Sequence, residues 1–176
     1  MARRKFFCFL MVVFITAIFC YHASMAKAQT SSLTLTSPAF AHNQAIPRKY
    51  TCQGDDVNPA LNISGLPAGT QSLALIVDDP DAPGGNWDHW LVYNIPPSEA
   101  IAKNGVPGVQ LRNDFRRREY GGPCPPSGTH RYFFKLFALD TQLTLVASAT
   151  KNDLLKSMDG HILAQTELIG LYKKTF

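Results

Sequence analysis

The chain has 176 residues, 17 of them Lys or Arg against 13 Asp or Glu, and its pI is basic. Four of the basic side chains (Arg3, Arg4, Lys5 and Lys27) fall in the first 28 residues, so the remaining 148 carry 13 basic against 13 acidic groups. That balance excludes a general nucleic-acid footprint, and 148 residues suit one domain with a real core.

In chain order, the first element is not part of the fold. A short basic region precedes an apolar run from Phe6 to Tyr21, and Ala26-Lys27-Ala28 fits the small-x-small cleavage pattern. This reads as a secretory signal peptide, residues 1–28, cut before Gln29. The run is short for a membrane span of ~20 residues, so an uncleaved anchor is disfavoured. Residues 29–176 are then a single domain, periplasmic or secreted and not integral to a membrane.

Short strand-like runs follow, separated by Pro, Gly, Asn and Asp. Leu33 to Thr36 alternates, and Ala60 to Ile63 alternates less cleanly. Ser72 to Val77 (SLALIV) reads as a buried strand, followed by Trp90 to Ile95 (WLVYNI). Arg131 to Leu139 (RYFFKLFAL) is the longest. Their β-branched and aromatic content predicts strands, and the spacing predicts a β-sandwich. One helix is predicted, with Thr150 as N-cap and Asp153 completing a capping box. Leu154, Leu155 and Met158 supply its apolar stripe, and Gly160 ends it. Residues 161–172 fit helix or strand on propensity alone.

Two cysteines lie beyond the export segment, Cys52 and Cys124. In an oxidising compartment they read first as one disulfide; free thiols are the competing reading.

Two loops carry the chemistry. DDPDAPGGNWDHW, residues 78–90, is too polar and broken to be core, yet it holds both Trp residues. Asp79 and Asp81 would stand at the end of the SLALIV strand, and Ala82-Pro83 is an X-Pro bond able to be cis. Gly84-Gly85 permits a reversal, and His89 returns at the next strand with Trp87 or Trp90 walling the same space. The second loop, YGGPCPPSGTHRY at 120–132, offers the Gly121 and Gly122 N–H groups, a Pro125-Pro126 wall and His130. Concave backbone N–H groups can receive an anion, and a His can add positive charge. Arg116-Arg117-Arg118 reads as a solvated loop or as a rim attracting anions.

DDPDAP, WDHW and GPCPPSGTHRY, in this order and spacing, resemble the phosphatidylethanolamine-binding protein family in its bacterial, Raf-kinase-inhibitor-like branch. YTCQGDDVNPAL at 50–61 resembles that branch's loop before the second strand. The similarity runs from about Leu33 to Tyr172. One departure is Asn58-Pro59-Ala60-Leu61, where the branch often has a Ser-Pro-Pro-Leu type run.

The resemblance implies a mainly β fold: a sandwich of two antiparallel sheets with one or two short helices, 161–172 being a strand. It implies a small anion-binding cavity lined or supported by Asp79, Asp81, Pro83, His89, Gly122, Pro125, His130 and Tyr132, with a cis bond at Ala82-Pro83. It also implies ligands that are small, anionic or phosphorylated, and in several members a protein partner instead of a reaction. Two carboxylates oppose a phosphate: one like-charge contact at ~4 Å costs about 4 kcal/mol at an effective dielectric of about 20. At least one Asp is therefore expected to hydrogen-bond a His.

Catalysis is the weaker expectation. No G-x-S-x-G elbow and no S-x-x-K set occur, and nothing marks Ser127 as activated. Neither H-E-x-x-H nor a C-x-x-C pair occurs, so no metal or cofactor is expected. The predicted function is a non-enzymatic binding module for a small phosphate-bearing or anionic ligand. An inhibitor or modulator of a protein partner is the alternative, and a weak hydrolase comes third.

Overall fold

A computed structural model describes residues 32–175; the expected export segment, residues 1–28, lies outside the described residues. The strands are β1 (Thr34–Thr36), β2 (Gln44–Ala45), β3 (Leu61–Ser64), β4 (Ser72–Asp79), β5 (Trp87–Ile95), β6 (Ala100–Ile101), β7 (Val109–Leu111), β8 (Thr129–Leu139) and β9 (Ile162–Lys173), with one helix, α1 (Lys151–Met158), between β8 and β9. They form a three-stranded sheet, β1-β3-β6, and a six-stranded sheet, β2-β9-β8-β4-β5-β7. All pairings are antiparallel except β2–β9, which is parallel and only two residues long.

The period-2 alternation of side chains decides the layers. Leu73, Leu75 and Val77 of β4, Trp90 and Val92 of β5, and Tyr132, Phe134 and Leu136 of β8 face one way, into a core shared with Leu35, Leu61, Ile63 and Ile101 of the small sheet. Ala74, Ile76, Leu91 and Phe137 face the other way, against Leu154 and Met158 of α1. A sheet covered on both faces explains why β4 reads as a continuous apolar run rather than an alternating one.

The capping box at α1 is complete: the Thr150 hydroxyl accepts from the Asp153 N–H, and the Thr150 N–H donates to Asp153 Oδ2 at 2.9 Å. Gly160 follows at φ 77°, which only a glycine adopts easily. Leu155 is a correction to the predicted stripe. It lies about 100° around the helix from Leu154 and is exposed, whereas Leu154 and Met158, four residues apart, share the buried face. Propensity left residues 161–172 open; in the fold 162–172 belong to β9, paired along β8, and His161 lies in the turn before it.

The DDPDAPGGNWDHW stretch corrects the sequence reading most. It is core at both ends: Asp78 and Asp79 close β4, His89 and Trp90 lie inside β5, and all four are buried. The carboxylates are tolerated there because each has a cationic or N–H partner, as burial of charge demands. The Ala82-Pro83 bond is also a correction, since no peptide bond among the described residues is cis. The reversal is made instead by Gly85 at φ 102°, whose N–H donates to the Ala82 carbonyl at 3.0 Å.

Candidate functional site

The last residues of β4 and the first residues of its antiparallel neighbours β5 and β8 meet at one end of the six-stranded sheet. Alternation at the end of β4 sends neighbouring carboxylates to opposite layers. Asp78 faces α1, where Lys135 and Lys151 reach it at 2.8 and 2.9 Å. Burial would raise its pKa, but those two ammonium groups outweigh it and hold the carboxyl below the usual range. Lys151 also bonds Asp88 at 2.5 Å, so this cluster fastens the start of α1 to the sheet.

Asp79 faces the other layer. Its Oδ2 accepts from His130 Nδ1 at 2.8 Å, and its Oδ1 accepts from the Asp81 N–H at 2.9 Å. The expected His–carboxylate pair is therefore Asp79 with His130. His89 is fixed by a different acceptor: its Nδ1 donates to the Gly121 carbonyl at 2.6 Å. In both rings Nδ1 carries the proton, because a carbonyl or carboxylate can only accept. Nε2 is the atom each ring has left to offer. His89 is 3% exposed, and burial pushes its pKa below 6.5 despite the Gly121 hydrogen bond and the charge of Asp79.

A cavity of about 220 Å³ opens against these groups, lined by Asp79, Ala82, Pro83, Trp87, His89, Phe115, Cys124, Pro125, Pro126 and His130. Its floor is two imidazoles and a carboxylate, and its walls are proline and aromatic rings. Trp87 and Phe115 meet edge to face at 5.6 Å between centroids, and Phe115 stands in the same way on His89 at 5.1 Å. Both aromatics are more than a third exposed, so they form the mouth.

Of the eight expected ligand-site residues, the fold brings Asp79, Pro83, His89, Pro125 and His130 to this cavity. Three stand elsewhere. Asp81 turns outward and is gripped by Arg131 in a two-point contact at 2.7 and 2.9 Å. That guanidinium holds its carboxyl at about 2. Tyr132 is fully buried behind the floor, its ring 5.2 Å from His89. Burial first, and then the nearby Asp79 carboxylate, raise the pKa of its hydroxyl. The backbone N–H of Gly122 is not free for an anion: it donates to Asp56 Oδ1 at 2.6 Å, and the Gly121 N–H donates to the His89 carbonyl at 3.0 Å. These glycines act by close approach. A Cβ at 121 would meet the Phe115 ring at 2.4 Å, and one at 122 would meet Asp56 Oδ1 at 2.6 Å.

The sequence reading missed two contributors. Phe115 is a mouth residue, and its signal was a lone aromatic in the polar run NDFRRR. Asp56 holds the site from behind, joining Gly122 through Oδ1 and Arg117 through Oδ2 at 2.7 Å. The Arg116–Arg118 triplet is thus only partly free, since Arg117 is paired and Arg118 donates to the Ala147 carbonyl.

Cys52 and Cys124 are joined, with Sγ atoms 2.09 Å apart. A wider, open cleft of about 850 Å³ lies on the α1 side, near Asp88, Arg112, Asp114 and Lys151. Its Lys151 and Asp88 already pair with each other. Among the described residues no helix is long and apolar enough to cross a membrane.

Comparison with known proteins places the chain in a family and gives relatives of the same fold. A family model described as phosphatidylethanolamine-binding protein matches residues 36–173. A UPF0098 protein of Methanothermobacter thermautotrophicus is 47% identical over 150 residues, 81% of this chain and 99% of that one. A UPF0098 protein of Pyrococcus horikoshii is 48% identical over 149 residues, 78% of this chain and 75% of that one. Among solved structures, a protein of Chlamydia trachomatis described as a homologue of the same family superposes with a TM-score of 0.79 at 43% identity, over 82% of this chain and 99% of that one. E. coli YbcL, described as a new member of the mammalian family, gives 0.75 at 31% identity over 82% of this chain and all of that one.

Proposed function

Because the chain belongs to the phosphatidylethanolamine-binding protein family, we propose that it is an exported, non-enzymatic module that binds a small phosphate-bearing or anionic ligand in the His89–His130 cavity. One observation carries this reading: two imidazoles from different strands, each with Nδ1 held by an acceptor, border one small stiff-walled cavity. Proline walls lower the entropy lost when a loop keeps one shape, so little ordering is left for the ligand to impose.

The electrostatics set a condition on binding. Burial holds His89 toward its neutral form, so a phosphate at this ring is bound better when a proton is supplied to the ring or to the phosphate itself. A head group that also carries an ammonium satisfies Asp79 directly. Affinity for inorganic phosphate is therefore expected to rise as pH falls from 8 to 6, with proton uptake from the buffer.

Export is part of the proposal. It is supported by the basic-then-apolar N-terminal segment and by a disulfide, which suits an oxidising compartment. N-terminal sequencing of the processed protein should begin at Gln29.

A second reading, docking of a protein partner at the mouth, is favoured by the exposed edge-to-face pair Trp87 and Phe115, with Arg117 5.5 Å from the Phe115 centroid. The same titration separates the two. Isothermal titration with inorganic phosphate and phosphoethanolamine should show saturable heat in the wild type, lost in His89→Ala and in His130→Ala. No heat from either ligand in the wild type overturns the ligand reading and favours the partner. Turnover of a phosphoester, lost with Ser127→Ala, would instead make the protein a hydrolase.

A further inference from the structure

We propose that the Cys52–Cys124 disulfide is a thiol-exchangeable latch on the cavity wall, opened by an external thiol to loosen residues 124–128 and weaken the hold on the ligand. The effect on the ligand rests on the reading of the cavity given above; the opening of the latch does not.

Three observations converge. Both cysteines are exposed, so an incoming thiolate has access to the bond. Cys124 lines the cavity beside Pro125 and Pro126, so the bond ends in the wall itself. The wall segment also has few other ties. Residues up to 123 are held several times over: Gly121 exchanges hydrogen bonds with His89, Gly122 donates to Asp56, and the Pro123 carbonyl accepts from the Cys52 N–H at 3.1 Å. From Thr129 onward the chain is paired in β8 with Lys173 and its neighbours. Between them, among the described residues, 124–128 make no backbone–backbone hydrogen bond. Pro125 and Pro126 have no N–H to offer. Ser127 and Gly128 are exposed, Gly128 at φ 68°. Pro125 is buried and packed in place, so the covalent bond at its neighbour Cys124 and that packing together hold an otherwise exposed span.

The exchange balances with a thiol as co-reactant. A thiolate attacks Cys52 Sγ, forming a mixed disulfide and expelling Cys124 as a thiolate, which takes up a proton on the cavity wall. A second thiol then attacks the mixed disulfide. It leaves as the oxidised disulfide of the reagent and frees Cys52, which is protonated in turn. Two external thiols are oxidised for one protein disulfide reduced. The remaining ties through Asp56, Pro123 and Tyr120, whose hydroxyl donates to the Tyr50 carbonyl at 3.1 Å, keep the two segments adjacent, so the change is local.

The test treats the native, folded protein with dithiothreitol in the absence of denaturant. Opening is followed by alkylation and mass spectrometry, backbone mobility by 15N relaxation order parameters, and binding by titration of inorganic phosphate. The expected result is reduction without denaturant and lower order parameters at Cys124, Ser127 and Gly128, with Tyr132 to Leu136 unchanged. Phosphate affinity should weaken roughly tenfold, as when about a tenth of the wall population stays competent, and reoxidation should restore it. A bond that opens only in denaturant overturns the latch, as does reduction that leaves the order parameters at Ser127 and Gly128 unaltered. Reduction and order parameters that change as stated while phosphate fails to bind even the oxidised protein would refute the ligand reading and leave the latch standing. The double variant Cys52→Ser/Cys124→Ser should match the reduced protein and lose its response to dithiothreitol. If that variant does not fold, the reversible redox cycle of the wild type decides alone.

Discussion

Two adjacent carboxylates, Asp78 and Asp79, do unrelated work because a strand alternates its faces. Asp78 joins a cluster of Lys135, Lys151 and Asp88 under α1, while Asp79 orients His130 at the cavity. The other imidazole, His89, is kept neutral by burial, with a pKa below the 6.5 it has when unfolded. Between those two values the unfolded chain binds more protons than the folded one, so stability rises with pH. The His89 contribution is fully present above about pH 6.5 and is lost as pH falls through the folded value. In urea titrations across pH 7 to 5, the wild type should lose stability and His89→Gln should show a flatter profile. An unchanged slope in that variant would mean that His89 is not held neutral. The residue scale was also where sequence reading was least complete. The motifs located both histidines and Asp79, but they could not show that the Gly122 N–H is already taken by Asp56. A backbone donor's partner lies 66 residues away and leaves no mark on the local pattern.

The elements were more legible, and for a physical reason. The runs SLALIV, WLVYNI and RYFFKLFAL are strands because β-branched and aromatic side chains fit a pleated surface buried on both faces. The capping box of α1 is a local device, so four residues sufficed to reveal it. What periodicity could not show was where a strand ends when its last residues are charged. Asp78 and Asp79 look like turn residues until their partners 50 or more positions away are known. The cluster beneath α1 yields a test at this scale. Replacing Lys151 by Met leaves Asp78 with Lys135 as its one cation beside the Asn86 amide, and Asp88 without its cation. The expected loss is about 2 kcal/mol, below the ~3–5 kcal/mol of a wholly uncompensated buried charge. Thr150→Ala, which removes only the cap, should cost about 1 kcal/mol. Equal losses in the two variants, measured by urea unfolding, would mean that the ion cluster adds nothing to the docking of α1.

Across the whole molecule, one covalent link joins the loop before β3 to the loop before β8, 72 residues apart in sequence. Closing a loop of that length restricts the unfolded chain by about 4 kcal/mol in the entropy model. Cys52→Ala/Cys124→Ala should therefore lower the unfolding free energy from urea titration by that order. A much smaller loss would indicate that the unfolded chain is already compact. Composition predicted the link from cysteine count and compartment, but only the fold shows that it ends in the cavity wall. The same fold draws β4, β5 and β8 together, so that imidazoles 41 positions apart border one hollow. The most direct measurement of that arrangement is a titration of the two imidazole rings by NMR, on protein labelled at histidine, with inorganic phosphate added at pH 6. Ring signals of His89 and His130 should move together, with one common dissociation constant and with the His89 pKa raised by the anion. Rings that do not respond, or that respond with unrelated constants, would contradict the account.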